Sequence, residues 1–197
     1  MAHQLTAKQF KSIRALDGIS EKTMTEHYKL YQGYVNKYNE IMTKLESVDL
    51  KTANQVFSDL RSLKVDLTFA IGGVKNHEIY FEHLGGKGGE PAGKLKQAIE
   101  KDFGSFDKWA ADLKASGIAA RGWAWLAYDH QWKRLFNYIG DAQNTFPVWG
   151  ATPILALDVY EHAYWYDYQT ARASYIDAFM KNLDWSVVEA AWDGLKV

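Results

Sequence analysis

Two long proline-free stretches in the first half of the chain carry apolar and aromatic residues at helical spacing. They cover about residues 21–46, with Ser20 as the expected N-cap, and about residues 52–84. Two long helices with a short connection pack as an antiparallel hairpin, which we expect here. In the second stretch, the pair Gly72-Gly73 predicts either a helix break or a close approach of another backbone segment.

A glycine-rich linker, GGKGGEP at 85–91, follows this hairpin. The pattern after it is mixed. We predict helices over 92–102 and 106–115, short strands over 122–128, 134–139 and 152–157, and helix again after Glu161. Ser186 and Glu189 have the spacing of a capping box, so a last helix is expected to start near Ser186.

Composition narrows the chemistry that the chain can perform. Lys and Arg together number 23, Asp and Glu 24, so the basic excess of a general nucleic-acid binder is missing. No apolar run reaches the roughly 20 residues that span a bilayer, and the N-terminal stretch carries no apolar signal segment, so we expect a cytoplasmic protein with no membrane contact. Because there are no cysteines, any metal ion must be held by nitrogen and oxygen atoms.

Four residues at separate points of the chain are candidate metal ligands. Asp158 and His162 lie four residues apart, a spacing that converges on one helix face or at a strand end followed by a turn. This pair alone is weak evidence, because a lone buried histidine is usually a hydrogen-bonded core residue. His27 and His77 strengthen the case, since each lies on the apolar face of a hairpin helix and needs a partner for its ring nitrogens.

The other histidines and the common motifs offer no competing site. We expect His83, next to the glycine-rich linker, to be exposed, and we assign no role to His3 or His130. His-Glu-x-x-His, Glu-x-x-His, a P-loop and Gly-x-Gly-x-x-Gly are all absent from the sequence.

The stretch DVYEHAYWYDY at 158–168 resembles the Asp-x-aromatic-Glu-His-Ala-aromatic-aromatic signature of the iron/manganese superoxide dismutases. Further motifs match that family in the same order, from about Ile19 to Trp192: HYK…YVNKYN, NHEIYF, GGKGGEPAGKLKQAIEKDFGSFDKW, GWAWL and YQTARASY…NLDW. The resemblance implies an α+β fold. It consists of an N-terminal antiparallel helical hairpin at residues 1–88 and a C-terminal α/β domain with a three-stranded antiparallel sheet at residues 89–197.

The resemblance also implies an activity and a metal. A member of this family converts superoxide to dioxygen and hydrogen peroxide at one manganese or iron ion per chain, which cycles between the +2 and +3 states, and it works as a homodimer. The family's four protein ligands fall on His27, His77, Asp158 and His162.

Three further residues are implied to act beside the metal. Tyr34 matches the family's gateway tyrosine, Trp123 lines the site, and Gln143 matches the glutamine that hydrogen-bonds the solvent ligand in manganese-type members. In iron-type members the glutamine comes from the second helix, at the position of Gly73 here, so manganese is favoured; Ala156 leaves dual-metal use open. The alternative for Gln143 is an amide in a surface loop.

Three positions depart from the family's usual residues, and two of them, Leu30 and Trp165, lie at the implied dimer interface. The resemblance places Glu161 against His162 of the partner subunit, but Leu30 and Trp165 replace the usual histidine and tyrosine, and Tyr160 replaces the usual tryptophan. We hypothesise an apolar Leu30–Trp165 contact between subunits. These replacements also motivate an alternative function, a metal-binding protein of this fold with weak or no turnover.

The spacing from His27 to Tyr34 is seven residues, one fewer than the family's usual eight. Seven residues return close to the same face of a regular α-helix, whereas eight drift further and a π-bulge could absorb the difference. The sequence therefore predicts a regular helix across 27–34.

Overall fold

The structure is a computed structural model that describes residues 3–145 and 148–197. Within these residues the chain forms seven α-helices, at Glu21–Leu45 (α1), Asp59–Glu82 (α2), Gly93–Phe103 (α3), Phe106–Ala119 (α4), Trp165–Tyr168 (α5), Arg172–Lys181 (α6) and Trp185–Gly194 (α7). Three β-strands lie between α4 and α5, at Trp123–Asp129 (β1), Arg134–Gly140 (β2) and Ala151–Asp158 (β3). Short 3-10 helices occupy Leu50–Thr52 and Glu161–Ala163. The α+β fold class is as predicted.

The predicted hairpin is formed by α1 and α2, which pack against each other. Ser20 caps α1, because its Oγ accepts a hydrogen bond from the backbone N–H of Thr23 at 3.1 Å. The buried face of α1 includes Met24 and Tyr31, which are both inaccessible to solvent. In the described part of the chain, no helix combines the length and apolar character needed to cross a bilayer.

The start of α2 lies later than the sequence pattern predicted. Residues 50–52 form a separate 3-10 helix, and α2 begins only at Asp59, with Ser58 as its cap. The side chain of Asn54 accepts a hydrogen bond from the backbone N–H of Val56 at 2.8 Å, a local turn that competes with helix formation. Val56 fitted the periodic pattern but is 82% exposed.

The three predicted strands form one antiparallel sheet in the order β2–β1–β3. Each strand begins and ends within about one residue of its predicted bounds. β1 is the central strand and is buried along its whole length. As an edge strand, β3 can contain Pro153, because one side of its backbone pairs with no other strand. β3 ends at Asp158, whose register partner on β1 is Trp123.

The last helix begins one residue earlier than predicted and has a different cap. α7 starts at Trp185, and Asp184 caps it by accepting a hydrogen bond from the backbone N–H of Ser186 at 3.1 Å. The predicted capping box is absent, because Glu189 accepts a hydrogen bond from the backbone N–H of Ala92 at 2.6 Å. Glu189 therefore ties α7 to the segment before α3.

The glycine-rich segment at 85–91 connects the hairpin to the rest of the chain and is held by hydrogen bonds. The backbone N–H groups of Gly85 and Gly86 both donate to the carbonyl oxygen of Asn182 at 2.9 Å. Nε1 of Trp185 donates to the carbonyl oxygen of Gly89 at 2.9 Å. The predicted domain boundary between residues 88 and 89 falls in this segment and stays a prediction.

His83 is buried, so the expectation that it is exposed was wrong. Only 1% of it is accessible, and its Nε2 accepts a hydrogen bond from the backbone N–H of Ala156 at 3.1 Å. Burial lowers the pKa of His83 to about 4, so its ring is neutral at pH 7. The chain stays packed against the rest of the fold after α2, because Leu84 forms a β-bridge with Leu183.

Replacing this buried imidazole is expected to destabilise the fold. His83→Ala leaves the N–H of Ala156 without an acceptor, which costs about 1–3 kcal/mol in the free energy of unfolding, and the cavity adds to the loss. Denaturant unfolding measures the change. His130→Ala is the control, because His130 is exposed and we expect a change within about 0.5 kcal/mol. Equal stability of both variants would contradict the prediction.

Candidate metal centre

The four predicted ligands converge from four separate parts of the fold. His27 lies on α1, His77 on α2, Asp158 at the end of β3 and His162 in the 3-10 helix that follows. Their ligand atoms all lie within 4.8 Å of one another. The Nε2 atoms of His27 and His162 lie 3.1 and 3.0 Å from Oδ2 of Asp158, and that of His77 lies 3.6 Å from it. One carboxylate oxygen thus faces three imidazoles.

A hydrogen bond from His77 to the backbone determines which of its two ring nitrogens carries the proton. The other nitrogen presents a lone pair to the cluster. Its Nδ1 donates to the carbonyl oxygen of Gly73 at 2.6 Å, so in the neutral ring Nε2 is unprotonated. Burial lowers the pKa of His77 to about 3, which keeps the ring neutral. Nε2 is buried and has no hydrogen-bond partner among the described residues. A lone pair therefore faces the carboxylate of Asp158 with no proton between them.

Two hydrogen bonds from neighbouring residues hold Asp158 in place. Its Oδ1 accepts a hydrogen bond from the backbone N–H of Tyr160 at 2.9 Å, and its carbonyl oxygen accepts one from the hydroxyl of Tyr175 at 2.7 Å. Burial acts to raise the pKa of Asp158, but the charge and hydrogen bonds of His162 and His27 outweigh it, so the pKa lies well below its usual range. Asp158 is an anion at neutral pH.

His162 reaches the cluster through the second of the two geometries that its spacing allowed, a strand end followed by a turn. Its side chain is 25% exposed, whereas those of His27, His77 and Asp158 are inaccessible. Burial acts to lower the pKa of His162, but the charge of Asp158 outweighs it and raises the pKa. Solvent therefore approaches the cluster on the His162 side.

α1 is an uninterrupted α-helix across 27–34, so the prediction of a regular helix is confirmed. Tyr34 follows His27 by seven residues, about two helical turns, and so lies on the same face of α1. The centroid of its ring lies 5.4 Å from that of His77. Burial, followed by the charge of Asp158, raises the pKa of Tyr34, so its phenol is protonated at neutral pH. The seven-residue spacing thus places a protonated hydroxyl group beside the cluster.

Gln143 is a buried amide that links two side chains next to the cluster, rather than a surface loop amide. It is 4% exposed. Its Oε1 accepts a hydrogen bond from Nε1 of Trp123 at 3.1 Å, and its Nε2 donates to the hydroxyl of Tyr34 at 3.3 Å. Its backbone carbonyl accepts a hydrogen bond from Nδ2 of Asn76 at 3.1 Å. The ring of Trp123 in turn lies edge-on to that of His77, with centroids 5.2 Å apart.

The pair Gly72-Gly73 marks a close approach and not a break, since α2 continues through both residues. A Cβ atom on Gly72 would overlap the backbone carbonyl oxygen of Gln143. A Cβ atom on Gly73 would lie 2.5 Å from the ring of Tyr34. The two glycines therefore make room on α2 for the loop that carries Gln143 and for the Tyr34 ring.

Filling this space is expected to disturb both the fold and the site. Gly73→Ala forces the Tyr34 ring to move, which we expect to cost about 1–3 kcal/mol in the free energy of unfolding and to lower activity. Thermal unfolding and an activity assay measure the two effects. The control is Gly33→Ala on α1, where a Cβ meets nothing within 4 Å and helix propensity predicts a gain of about 0.8–1 kcal/mol. A stabilised, fully active Gly73→Ala variant would contradict the prediction.

The three residues implied at a dimer interface are each at least partly accessible to solvent. Glu161 is exposed, Leu30 is half-buried, and Trp165 is 50% exposed. Both Glu161 and Trp165 lie within three positions of His162 in sequence.

Two residues that support the site, Asn76 and Tyr175, received no role from the sequence, and Tyr160 was considered only as a replacement. Asn76 holds the loop of Gln143, Tyr175 holds the carbonyl oxygen of Asp158, and the ring of Tyr160 stacks on that of His162 with centroids 5.3 Å apart. Tyr175 lies in one of the motifs that carried the resemblance, YQTARASY, and Asn76 precedes His77. Helical position alone could not reveal the roles of Asn76 and Tyr175, because each depends on a contact with a different element of the fold.

The cluster fits a transition-metal ion. The cluster consists of three imidazoles, which bind metals in their neutral form, and one carboxylate. These groups supply the nitrogen and oxygen ligands that suit iron or manganese. The unpartnered Nε2 of His77 gives a direct reason to place a cation there, because a positive ion between that lone pair and the carboxylate satisfies both. The four side chains are thus the ones that would hold the ion.

Comparisons with known proteins agree with this geometry. Residues 3–85 match the model of the α-hairpin domain of iron/manganese superoxide dismutases, and residues 91–191 match that of their C-terminal domain. The chain is 44% identical over 197 residues to superoxide dismutase [Fe] of Aquifex aeolicus (strain VF5), a match that covers 97% of this chain and 92% of the relative. It is 43% identical over 175 residues to superoxide dismutase [Fe] of Cupriavidus metallidurans, covering 86% of each chain. It is 38% identical over 177 residues to superoxide dismutase [Mn] 2 of Halobacterium salinarum, covering 89% of this chain and 87% of the relative.

Proposed function

This chain belongs to the iron/manganese superoxide dismutase family, and from that premise we propose how its own residues support turnover. It is an oxidoreductase that converts superoxide to dioxygen and hydrogen peroxide at a single iron or manganese centre. The observation that carries the proposed site is the convergence of His27, His77, Asp158 and His162, including the unpartnered Nε2 of His77. When bound, the ion supplies one-electron redox chemistry, accepting an electron from one superoxide and giving an electron to another.

Tyr34 and Gln143 are proposed to handle protons in this reaction, because peroxide formation consumes two protons. The hydroxyl of Tyr34 accepts a hydrogen bond from Nε2 of Gln143, so its own proton remains available for donation to another group. Its raised pKa keeps that proton in place at neutral pH. Trp123 anchors the other end of the Gln143 amide and thereby fixes which amide atom faces Tyr34. The three residues form one positioned hydrogen-bonded unit beside the ligands.

An assay of superoxide consumption by metal-loaded protein, together with metal analysis, tests this function. We expect about one ion per chain and rapid turnover, because the site holds four protein ligands that suit such an ion. Metal-loaded protein without turnover would instead support the alternative in which Leu30, Tyr160 and Trp165 weaken catalysis.

We further propose that manganese is the preferred metal. The amide beside the cluster comes from the loop after β2, as Gln143, while the helix position four residues before His77 is Gly73, where the Tyr34 ring leaves no room for a side chain. A hydrogen-bonding group next to the ion tunes its potential, so the origin of the amide bears on which metal works. The names of the similar proteins include both metals.

Metal preference can be tested by loading the same protein with each ion. We expect the manganese form to be active and the iron form to be much less active at equal occupancy. An iron form that is the more active one would overturn the preference without touching the assignment of the ligands.

A homodimer is proposed on the accessible side of the cluster. Trp165 and Tyr166 are 50% and 56% exposed beside the partly exposed His162, and Glu161 is exposed next to them. Aromatic side chains that are exposed together often anchor interfaces. A second copy packed here would cover His162 and bring Leu30 and Trp165 of the two subunits within reach of each other.

Sedimentation of two tryptophan variants tests this interface. Trp165→Ala is expected to weaken the dimer by about tenfold or more, because a buried interface tryptophan contributes strongly to affinity. Trp149→Ala is the control, since Trp149 is 91% exposed and lies before β3, at the opposite end of that strand from Asp158. A monomeric wild-type protein, or a dimer unaffected by Trp165→Ala, would refute the proposal.

The cytoplasmic location that the sequence predicts is also part of this proposal. Cell fractionation with activity staining tests it, and activity recovered outside the cytoplasmic fraction would contradict it.

A further inference from the structure

Three oxidisable rings form a continuous stack that starts at the metal centre. We call Trp123, Trp125 and Tyr138 the aromatic ladder. Trp123 contacts the ligand His77, with ring centroids 5.2 Å apart. The rings of Trp123 and Trp125 are 6.1 Å apart and nearly parallel, at 14°, and those of Trp125 and Tyr138 are 4.8 Å apart at 26°. The ladder therefore leads away from the ligands in three close steps.

The sheet holds the ladder rigidly. Trp123 and Trp125 are two residues apart on β1, so they share one face, and Tyr138 on β2 is the direct register partner of Trp125. Gly140 lies opposite Trp123, and a Cβ there would come within 2.6 Å of the Trp125 ring. The glycine thus gives the central ring its space.

The surroundings of Trp125 and Tyr138 differ, and this difference favours movement of an oxidised state from the buried Trp125 ring to Tyr138 at the surface. Nε1 of Trp125 is buried without a hydrogen-bond partner among the described residues, so an oxidised Trp125 has no local acceptor for its proton and keeps its charge mobile. Tyr138 lines a surface groove of about 650 Å³ together with Asp112 and Ser116. A phenol at such a groove can release its proton to water when it is oxidised, which traps the radical there.

We propose that the aromatic ladder carries oxidising equivalents from the metal centre to the surface and so protects the ligands from oxidation. The proposal rests on the proposed function, because its oxidant comes from hydrogen peroxide, the product of the reaction. An iron or manganese ion held in its +2 state by His27, His77, Asp158 and His162 would supply the one electron that converts peroxide to a hydroxyl radical and hydroxide, and the ion would become +3. The hydroxyl radical takes an electron from Trp123 and becomes hydroxide. Trp125 then donates an electron to the oxidised Trp123, and Tyr138 donates an electron to the oxidised Trp125.

The electron and proton balance closes at Tyr138. Two hydroxides form at the centre, one from peroxide and one from the hydroxyl radical. Tyr138 has given up one electron through the ladder and releases its phenolic proton to groove water, and this proton neutralises one hydroxide. The charge of the other hydroxide is balanced by the positive charge that the ion would gain on oxidation. A neutral tyrosyl radical remains on Tyr138. A thiol in solution restores the phenol by donating a hydrogen atom and becomes a thiyl radical.

Electron paramagnetic resonance of the metal-loaded protein, frozen soon after peroxide addition, tests the ladder. We expect a tyrosyl signal that changes shape when ring-deuterated tyrosine is incorporated. Tyr138→Phe should lose this signal and show increased oxidation of Trp125 and His77 by peptide mass spectrometry. The control is Tyr128→Phe on β1, whose ring packs against Trp192 outside the ladder, and which should keep the signal. An unchanged signal and oxidation map in Tyr138→Phe would overturn the proposal.

A second variant interrupts the ladder without removing its end. Trp125→Phe keeps an aromatic ring in the core but replaces the oxidisable indole, so the Tyr138 signal should disappear although Tyr138 is present. A persistent Tyr138 signal in this variant would refute transfer through Trp125. Because peroxide is added directly, these outcomes do not depend on superoxide turnover, and a failed superoxide assay would count against the proposed function alone.

Discussion

Asp158→Asn is expected to abolish metal retention and, with it, superoxide turnover. Oδ2 of Asp158 lies 3.1, 3.6 and 3.0 Å from the Nε2 atoms of His27, His77 and His162, and it supplies the one negative charge in the group. The amide keeps the shape of the side chain but removes that charge from a fully buried position. Removing one partner of a buried charge pair costs about 3–5 kcal/mol, which corresponds to a retention roughly a hundredfold to several thousandfold weaker.

Metal analysis and the superoxide assay measure this effect on the same preparations. Asp177→Asn is the matched control, because it is the same substitution at a surface position. The carboxylate of Asp177 pairs there with Nζ of Lys114 at 2.7 Å. The control should retain the metal and full activity. An Asp158→Asn protein with a full complement of metal would show that the ion is held elsewhere.

Gln143→Ala is expected to lower activity by about 10- to 100-fold, the usual loss when a group that supports metal ligands is removed. The truncation leaves Nε1 of Trp123 buried without its acceptor and removes the donor to the Tyr34 hydroxyl. The four ligands keep their own contacts, so we expect metal content to stay high while turnover falls. The pH dependence of turnover should also change, because the environment of the Tyr34 phenol changes.

The neighbouring amide provides the control for this variant. Nδ2 of Asn144 donates to Oγ1 of Thr68 in an exposed contact at 2.7 Å, away from the ligands. Asn144→Ala tests the same truncation in the same loop, and we expect near-normal turnover. Equal losses in the two variants would mean that the loop as a whole, rather than the Gln143 amide, is responsible.

The parts of the fold that local pattern determines were predictable from the sequence. Helical periodicity identified α1, and alternation of apolar residues identified β2, because both signals are repeated over many positions. The start of α2 was misplaced because one side chain, Asn54, forms a turn that a periodicity argument does not weigh.

Long-range contacts set the limit of prediction at the site. The sequence and its resemblance to a family placed the four ligands, but the burial of His83 depends on a hydrogen bond to Ala156, 73 positions away. The role of Tyr175 likewise depends on the carbonyl oxygen of Asp158. Such contacts are fixed by how the elements pack, and no local pattern encodes them.

The two glycines of α2 also restrict how the origin of the amide beside the cluster could change by substitution. Moving the amide from the loop to the helix requires a side chain at position 73, in space that Tyr34 fills, while the loop with Gln143 rests on position 72. Each change made alone has a cost, since a side chain at position 73 meets the Tyr34 ring and truncation of Gln143 leaves no amide beside the cluster. A redesign that moves the amide from the loop to the helix must therefore substitute residues 73 and 143 together. It must also move the Tyr34 ring in the same step.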